Sequence, residues 1–155
     1  MGTNTLTFKS ILIHAALEGC TRDILLTSTM TLYQLHKFIL IAFGLNESGV
    51  EYHNFNLIKQ LDPVETSYEI IDDQEVDGFI TPVAPGVYIE HTHPHEPLPL
   101  FSIYYKALHD EMSFRMIRDE RYCTLNTIPS RELHYEFQYH ANHYSIHLNL
   151  QSVNL

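Results

Sequence analysis

The sequence predicts an α+β protein, and three observations carry that prediction. Short stretches of alternating apolar and polar residues occur near both ends of the chain. One stretch, Leu32–Phe43, instead repeats its apolar residues at helical spacing. The 155 residues match one ordinary domain, which buries about 68–70% of its unfolded surface and folds without disulfides or metal. The expected architecture is a single compact domain over residues 1–155. A ββαβ opening continues into a mainly antiparallel sheet that ends in a C-terminal β-hairpin.

The elements follow in order. Leu6, Phe8, Ile11 and Ile13 alternate loosely over residues 5–17 and meet Glu18-Gly19-Cys20, a turn signal. Ile24-Leu25-Leu26 then reads as the second strand of an antiparallel pair with one buried face. In the helix, Leu32, Leu35, Ile39, Ala42 and Phe43 share one face. Either Thr29 or Thr31 can cap it, because a hydroxyl accepts a bond from a free amide of the first turn. Gly44, free to take positive φ, ends it. Tyr52–Ile58 reads as the third strand.

Residues 59–99 read as a variable insertion rich in acid and proline. Its acidic run, Glu65, Glu69, Asp72, Asp73, Glu75 and Asp77, is expected on a solvated loop with a short strand at Tyr68–Ile71. Val87–Glu90 reads as a strand leading into His91–Pro99, whose three prolines exclude a helix or a central strand. Leu100–Tyr105 and Met112–Arg118 are further strand candidates. At the end of the chain, Leu133, Tyr135, Phe137 and Tyr139 alternate with His134, Glu136 and Gln138. Tyr144, Ile146, Leu148 and Leu150 alternate with His143, Ser145, His147 and Asn149. A turn at Ala141-Asn142 would pair Tyr139 with Tyr144, Phe137 with Ile146 and Tyr135 with Leu148. One hairpin face would then be aromatic and buried, the other polar and rich in histidine.

Thr31-Leu32-Tyr33-Gln34-Leu35-His36 through Ile41-Ala42-Phe43-Gly44, then Tyr52-His53-Asn54-Phe55, resembles the plasmid pRiA4b ORF-3-like family. Phe101–Arg118 is a weaker echo of the same family. The resemblance covers about a third of the chain directly. It implies an α+β domain with a β-grasp-like beginning, carried on plasmids, transposons and phages, and it brings no catalytic mechanism. This chain departs from the family pattern with Leu45 in place of the tryptophan after the helix glycine. It departs again at Ala107–Phe114, where only Asp110 keeps the type of residue the family has.

Composition excludes several functions. Nine Lys+Arg against nineteen Asp+Glu give a net charge of −10, and no basic patch is visible. Binding nucleic acid by neutralising phosphates is therefore not expected. Eleven histidines qualify that charge, since protonating all of them would more than cancel it. Cys20 and Cys123 stand outside any CxxC spacing, which suits free thiols in a reducing cytosol. The first ten residues carry one Lys and no apolar core, so a secretory leader is not expected. The longest apolar run, Phe38–Phe43, is far short of the about 20 residues of a membrane span. A cytoplasmic protein with no membrane partner and no cofactor is expected.

Two motifs invite a catalytic reading. His91-Thr92-His93-Pro94, followed by Ser102, is similar to the HxHP zinc motif of JAMM metalloproteases, but Tyr105 occupies the position of the third ligand. His95 extends the cluster, so His91, His93 and His95 are the metal candidates. His143-Tyr144-Ser145-Ile146 is similar to half of a 2H phosphoesterase site and has no second copy. Neither set completes a catalytic constellation. The expected function is a non-enzymatic protein-binding module encoded by a mobile element, with the acidic run 65–77 as the partner-binding surface. One alternative is a phage-type, anti-CRISPR-like inhibitor that covers the basic nucleic-acid channel of a host nuclease. The other is a divergent metal-dependent hydrolase using His91 and His93.

Overall fold

A computed structural model of the chain describes residues 9–58, 64–71, 80–91 and 114–153. Among these residues, one helix packs on a sheet of nine strands in the order β2-β1-β9-β8-β3-β4-β7-β6-β5. The strands are β1 Ser10–Leu17, β2 Cys20–Thr27, β3 Val50–Leu57, β4 Glu65–Glu69, β5 Ile80–Ala84, β6 Val87–His91, β7 Phe114–Asp119, β8 Glu132–Tyr139 and β9 Asn142–Val153. Only β4 and β7 run parallel; the other pairings among the described residues are antiparallel. The α+β class, the ββαβ opening and the C-terminal hairpin are all present.

The first hairpin turns at Glu18 and Gly19, both at positive φ (46° and 86°), the combination that fits the right-handed twist of a two-residue turn. The helix α1 spans Leu32–Ala42. Of the two possible caps, Thr31 is the one used: its hydroxyl accepts from the Gln34 amide, and the Gln34 side chain accepts from the Thr31 amide. The next two free amides are met by the loop that follows β7. Leu32 N–H donates to the Cys123 carbonyl (2.9 Å) and Tyr33 N–H to that of Glu120 (3.1 Å). Gly44 stands at φ 66° just past the helix. Leu32, Leu35 and Ile39 are buried against Ile11, Ile13, Ile24, Phe55, Tyr135, Phe137, Ile146 and Leu148.

Two expectations change. The hairpin β8–β9 turns at His140-Ala141, two residues from the expected register, so that Tyr139 faces Asn142, Phe137 faces Tyr144 and Tyr135 faces Ile146. A shift of two leaves every side chain on its own face, so the aromatic face is still the buried one. His140 and Ala141 both take positive φ (48° and 68°), which the sequence does not advertise because neither is Gly, Asn or Asp. The second change concerns residues 59–99. Their described parts are three strands. β6 is the strand expected at Val87–Glu90, and β5 was not expected. β4 starts earlier than the short strand expected at Tyr68–Ile71 and takes in Glu65 and Glu69 of the acidic run. β4 lies inside the sheet between β3 and β7, with Thr66, Ser67, Tyr68 and Glu69 all buried. β5 and β6 form a hairpin at one edge, where Pro82 is tolerated because an edge strand needs fewer amides. The expected strand at Leu100–Tyr105 lies outside the described residues.

Candidate functional site

Helix α1 covers one face of the half-sheet β2-β1-β9-β8-β3, and among the described residues no element covers the other, open face. Alternation decides what that open face carries. In β2 and β1 it presents Asp23, Leu25, Leu12 and His14, because Ile24, Leu26, Ile11 and Ile13 point to the core. In β9 and β8 it presents His143, Ser145, His147, Glu132, His134, Glu136 and Gln138. His14 Nδ1 meets Asp23 Oδ1 at 2.7 Å and His147 Nε2 lies 3.7 Å from Glu132 Oε1. Among the described residues of these five strands, no Lys or Arg side chain stands on this face.

The face continues into a hydrogen-bonded network on β3, β4, β7 and β6. Asn56 Nδ2 donates to Asn54 Oδ1 (2.6 Å) and Asn54 Nδ2 to the Tyr52 hydroxyl (2.7 Å). That hydroxyl donates to Glu69 Oε2 (3.2 Å), as does Ser67 Oγ (3.2 Å). Arg115 closes the network, with Nη1 3.4 Å from Glu69 and Nη2 2.9 Å from Glu90. Burial opposes the Arg115 charge, but the Glu90 and Glu69 carboxylates outweigh it and hold the guanidinium above its ordinary value. Burial first, then the charge of Glu69, pushes the Tyr52 phenol up, against the hydrogen bond from Asn54.

Under the helix lies a second polar cluster. His36 of α1 stacks on His53 of β3, with ring centroids 3.7 Å apart and planes 3° from parallel. His36 Nδ1 meets the Tyr135 hydroxyl at 2.6 Å. His53 Nε2 stands 2.8 Å from Glu120 Oε1 without forming a hydrogen bond, and Glu120 is fully buried. Burial, with the charges of His53 and Lys37, lowers the His36 imidazole to about 3, so it is neutral at any ordinary pH. Burial also raises the Glu120 carboxyl and, aided by the charge of Glu120, the Tyr135 phenol. His36 and Tyr135 satisfy one another and help seat α1 on β8, whereas His53 Nε2 and both carboxylate oxygens of Glu120 are buried with no hydrogen-bond partner among the described residues.

The residues expected to bind a partner are divided by the structure. Glu65 is exposed at the start of β4, whereas Glu69 is only 9% exposed and committed to Arg115, Tyr52 and Ser67. Asp72, Asp73, Glu75 and Asp77 lie outside the described residues. His91 is the last residue of β6, opposite Phe114; His93 and His95 lie outside the described residues. Among the described residues, no group of three or more His, Cys, Asp and Glu is placed to hold a metal ion. Cys20 and Cys123 are free thiols. No described helix is long and apolar enough to cross a membrane. Asp23, Glu132 and Arg115 were not expected at a site. The alternation in β8 and β2 was the available signal for the first two, and Arg115 has none, because its partners Glu69 and Glu90 come from two other strands, β4 and β6.

No protein-family model matches the chain, and no curated protein does. Among solved structures, a protein of unknown function from Methanosarcina mazei Go1 has a similar fold, with a TM-score of 0.54 at 14% identity. The match covers 94% of this chain and 61% of that one, so the present chain spans less than two thirds of its neighbour's length. At that identity the likeness is one of fold alone.

Proposed function

We propose that the protein is a non-enzymatic binding module that engages a basic protein partner through the open face of β2-β1-β9-β8-β3. The observation that supports this reading is the charge of that face: Asp23, Glu132 and Glu136 among histidines, with no Lys or Arg beside them among the described residues. Such a face attracts a positive surface from a distance and disfavours a phosphate backbone. Glu65, exposed on β4, extends the same acidic character. A narrower form of the proposal is an inhibitor that occupies a partner's basic nucleic-acid channel, since rows of carboxylates stand in for phosphates there. A cytosolic setting suits the two free thiols. The family resemblance of Thr31–Phe55 carries the same expectation of a module without catalysis.

The test begins with the immobilised protein and the basic partner it retains from host lysate. Affinity for that partner is then compared between wild type and the triple variant Asp23→Asn, Glu132→Gln, Glu136→Gln. The expected result is an affinity loss of about tenfold or more in the variant, equivalent to about 1.4 kcal/mol, and a loss in wild type as salt rises. A complex indifferent to salt and to the three substitutions would end the proposal.

A further inference from the structure

At one end of the sheet, four strands break their core-facing apolar pattern together. On β1 the inward series Ile13, Ile11 is continued by Lys9, and on β2 the series Ile24, Leu26 is continued by Ser28. On β9 Leu148 and Leu150 are followed by Ser152, and on β8 Tyr135 and Leu133 are preceded by Arg131. A strand that ends in open solvent has no need to place both of the cations available there on the core side. These four positions, with Asn126 and the loop of Ile128 and Pro129, line a cavity of about 330 Å³.

The cavity is held open by backbone rather than by chance side-chain placement. Ser28 N–H donates to the Lys9 carbonyl (2.9 Å), Asn126 N–H to that of Ser28 (3.0 Å) and Leu150 N–H to that of Arg131 (2.7 Å). Its floor is apolar, formed by Ile11, Leu125 and Leu150, each at most 7% exposed. Its rim carries two cations and three hydroxyls, those of Ser28, Ser130 and Ser152. No acidic side chain lines it, in a chain of net charge −10. Among the described residues neither Lys9 nor Arg131 has a carboxylate partner, while the other ion pairs use Arg115, Arg121, Lys37 and histidines. The Ser130 hydroxyl is already engaged with the Glu132 backbone, so the free donors at the rim are those of Lys9, Arg131, Ser28 and Ser152.

We infer that this cavity binds a small amphipathic anion, its apolar body on Ile11, Leu125 and Leu150 and its acid head between Lys9 and Arg131. A volume near 330 Å³ lies at the lower end of small-molecule sites, which suits a short acyl or aryl body and excludes a long lipid chain. Arg131 offers two parallel donors to a carboxylate or phosphate oxygen pair, and Lys9 adds charge. This site stands apart from the open acidic face, which lies on the other side of the sheet.

Octanoate, octyl phosphate and octanol, titrated calorimetrically into the full chain, test the inference. The expected result is one-to-one binding of at least one of the two acids, about tenfold or more tighter than octanol, and the stronger acid identifies the head group as carboxylate or phosphate. Arg131→Gln should weaken the acid about tenfold while leaving octanol unchanged and the unfolding midpoint near wild type, because Arg131 is exposed. Ser28→Trp, which fills the cavity from the end of β2, should abolish both. Equal affinity for acid and alcohol, no binding of either acid to wild type, or an Arg131→Gln variant that binds the acid as wild type does would overturn it.

Discussion

The fold opposes the ionisation of both His36 and Glu120, and their contributions to stability run in opposite directions with pH. His36 is held neutral by burial, its imidazole lowered from 6.5 to about 3. Its contribution to stability is therefore complete above pH 6.5 and is lost as pH falls towards 3, because the unfolded chain takes up the proton first. His36→Gln should lower stability at pH 7, through the lost Tyr135 contact, yet flatten its decline between pH 6.5 and 4; urea unfolding at several pH values measures both. Glu120 is raised by burial, so its contribution is complete below the ordinary carboxyl value of 4.5 and is lost as pH rises through the raised one. Glu120→Gln cannot ionise, so its melting temperature relative to wild type should climb with pH above 4.5. A constant difference across pH 4–8 would mean that Glu120 does not titrate in that range. The sequence showed His36 and His53 only as members of a motif. Their stacking depends on α1 crossing β3, a contact between residues 17 apart that no local pattern encodes.

Among the elements, α1 and the C-terminal hairpin differ in how openly they are written. The helix announces its face, its stop at Gly44 and a cap in either Thr29 or Thr31. The choice between the two threonines was made by Gln34, three residues after Thr31, and by the loop carbonyls of Glu120 and Cys123. Thr31→Ala should cost about 1 kcal/mol in denaturant unfolding, whereas Thr29→Ala should cost a few tenths at most. In the hairpin the faces were readable and the turn was not. Alternation specifies which side chains are buried but leaves registers two apart equally compatible, so the turn had to be settled by backbone conformation. His140-Ala141 adopts positive φ without glycine, held by the bond from His140 N–H to the Gly49 carbonyl and by that from Ala141 N–H to Glu51 Oε1 (3.0 Å). Ala141→Gly should therefore stabilise the protein by about 1 kcal/mol, read from the midpoint at unchanged m-value. Gly49 itself is required by space: a Cβ there would stand 2.6 Å from the Tyr139 ring.

For the whole molecule, the surplus of acid acquires a direction once the sheet is assembled. The acidic run that looked like the charge centre is split, with Glu69 turned into an internal partner for Arg115 and Glu65 left outside. Carboxylates far apart in sequence, Asp23, Glu132 and Glu136, share the open face instead. Affinity for a basic partner should accordingly fall as salt rises from about 0.05 to about 0.5 M, because screening shortens the reach of these exposed charges. Binding that holds steady across this range would place the contact elsewhere.

The sequence by itself determined the elements whose evidence is periodic: the α+β class, the ββαβ opening, the helix face and the buried side of the last hairpin. Local spacing is enough for these, because a strand or helix must put one face inward wherever it packs. Tertiary structure alone decided what depends on distant neighbours. It placed β4 inside the sheet, where both partners satisfy polar residues that read as loop. It paired Glu69 with Arg115 and stacked His36 on His53. It also brought Lys9, Ser28, Arg131 and Ser152 to one rim, although each looked like an ordinary residue beyond the end of a strand. A side chain's face is written locally; its company is written only by the fold.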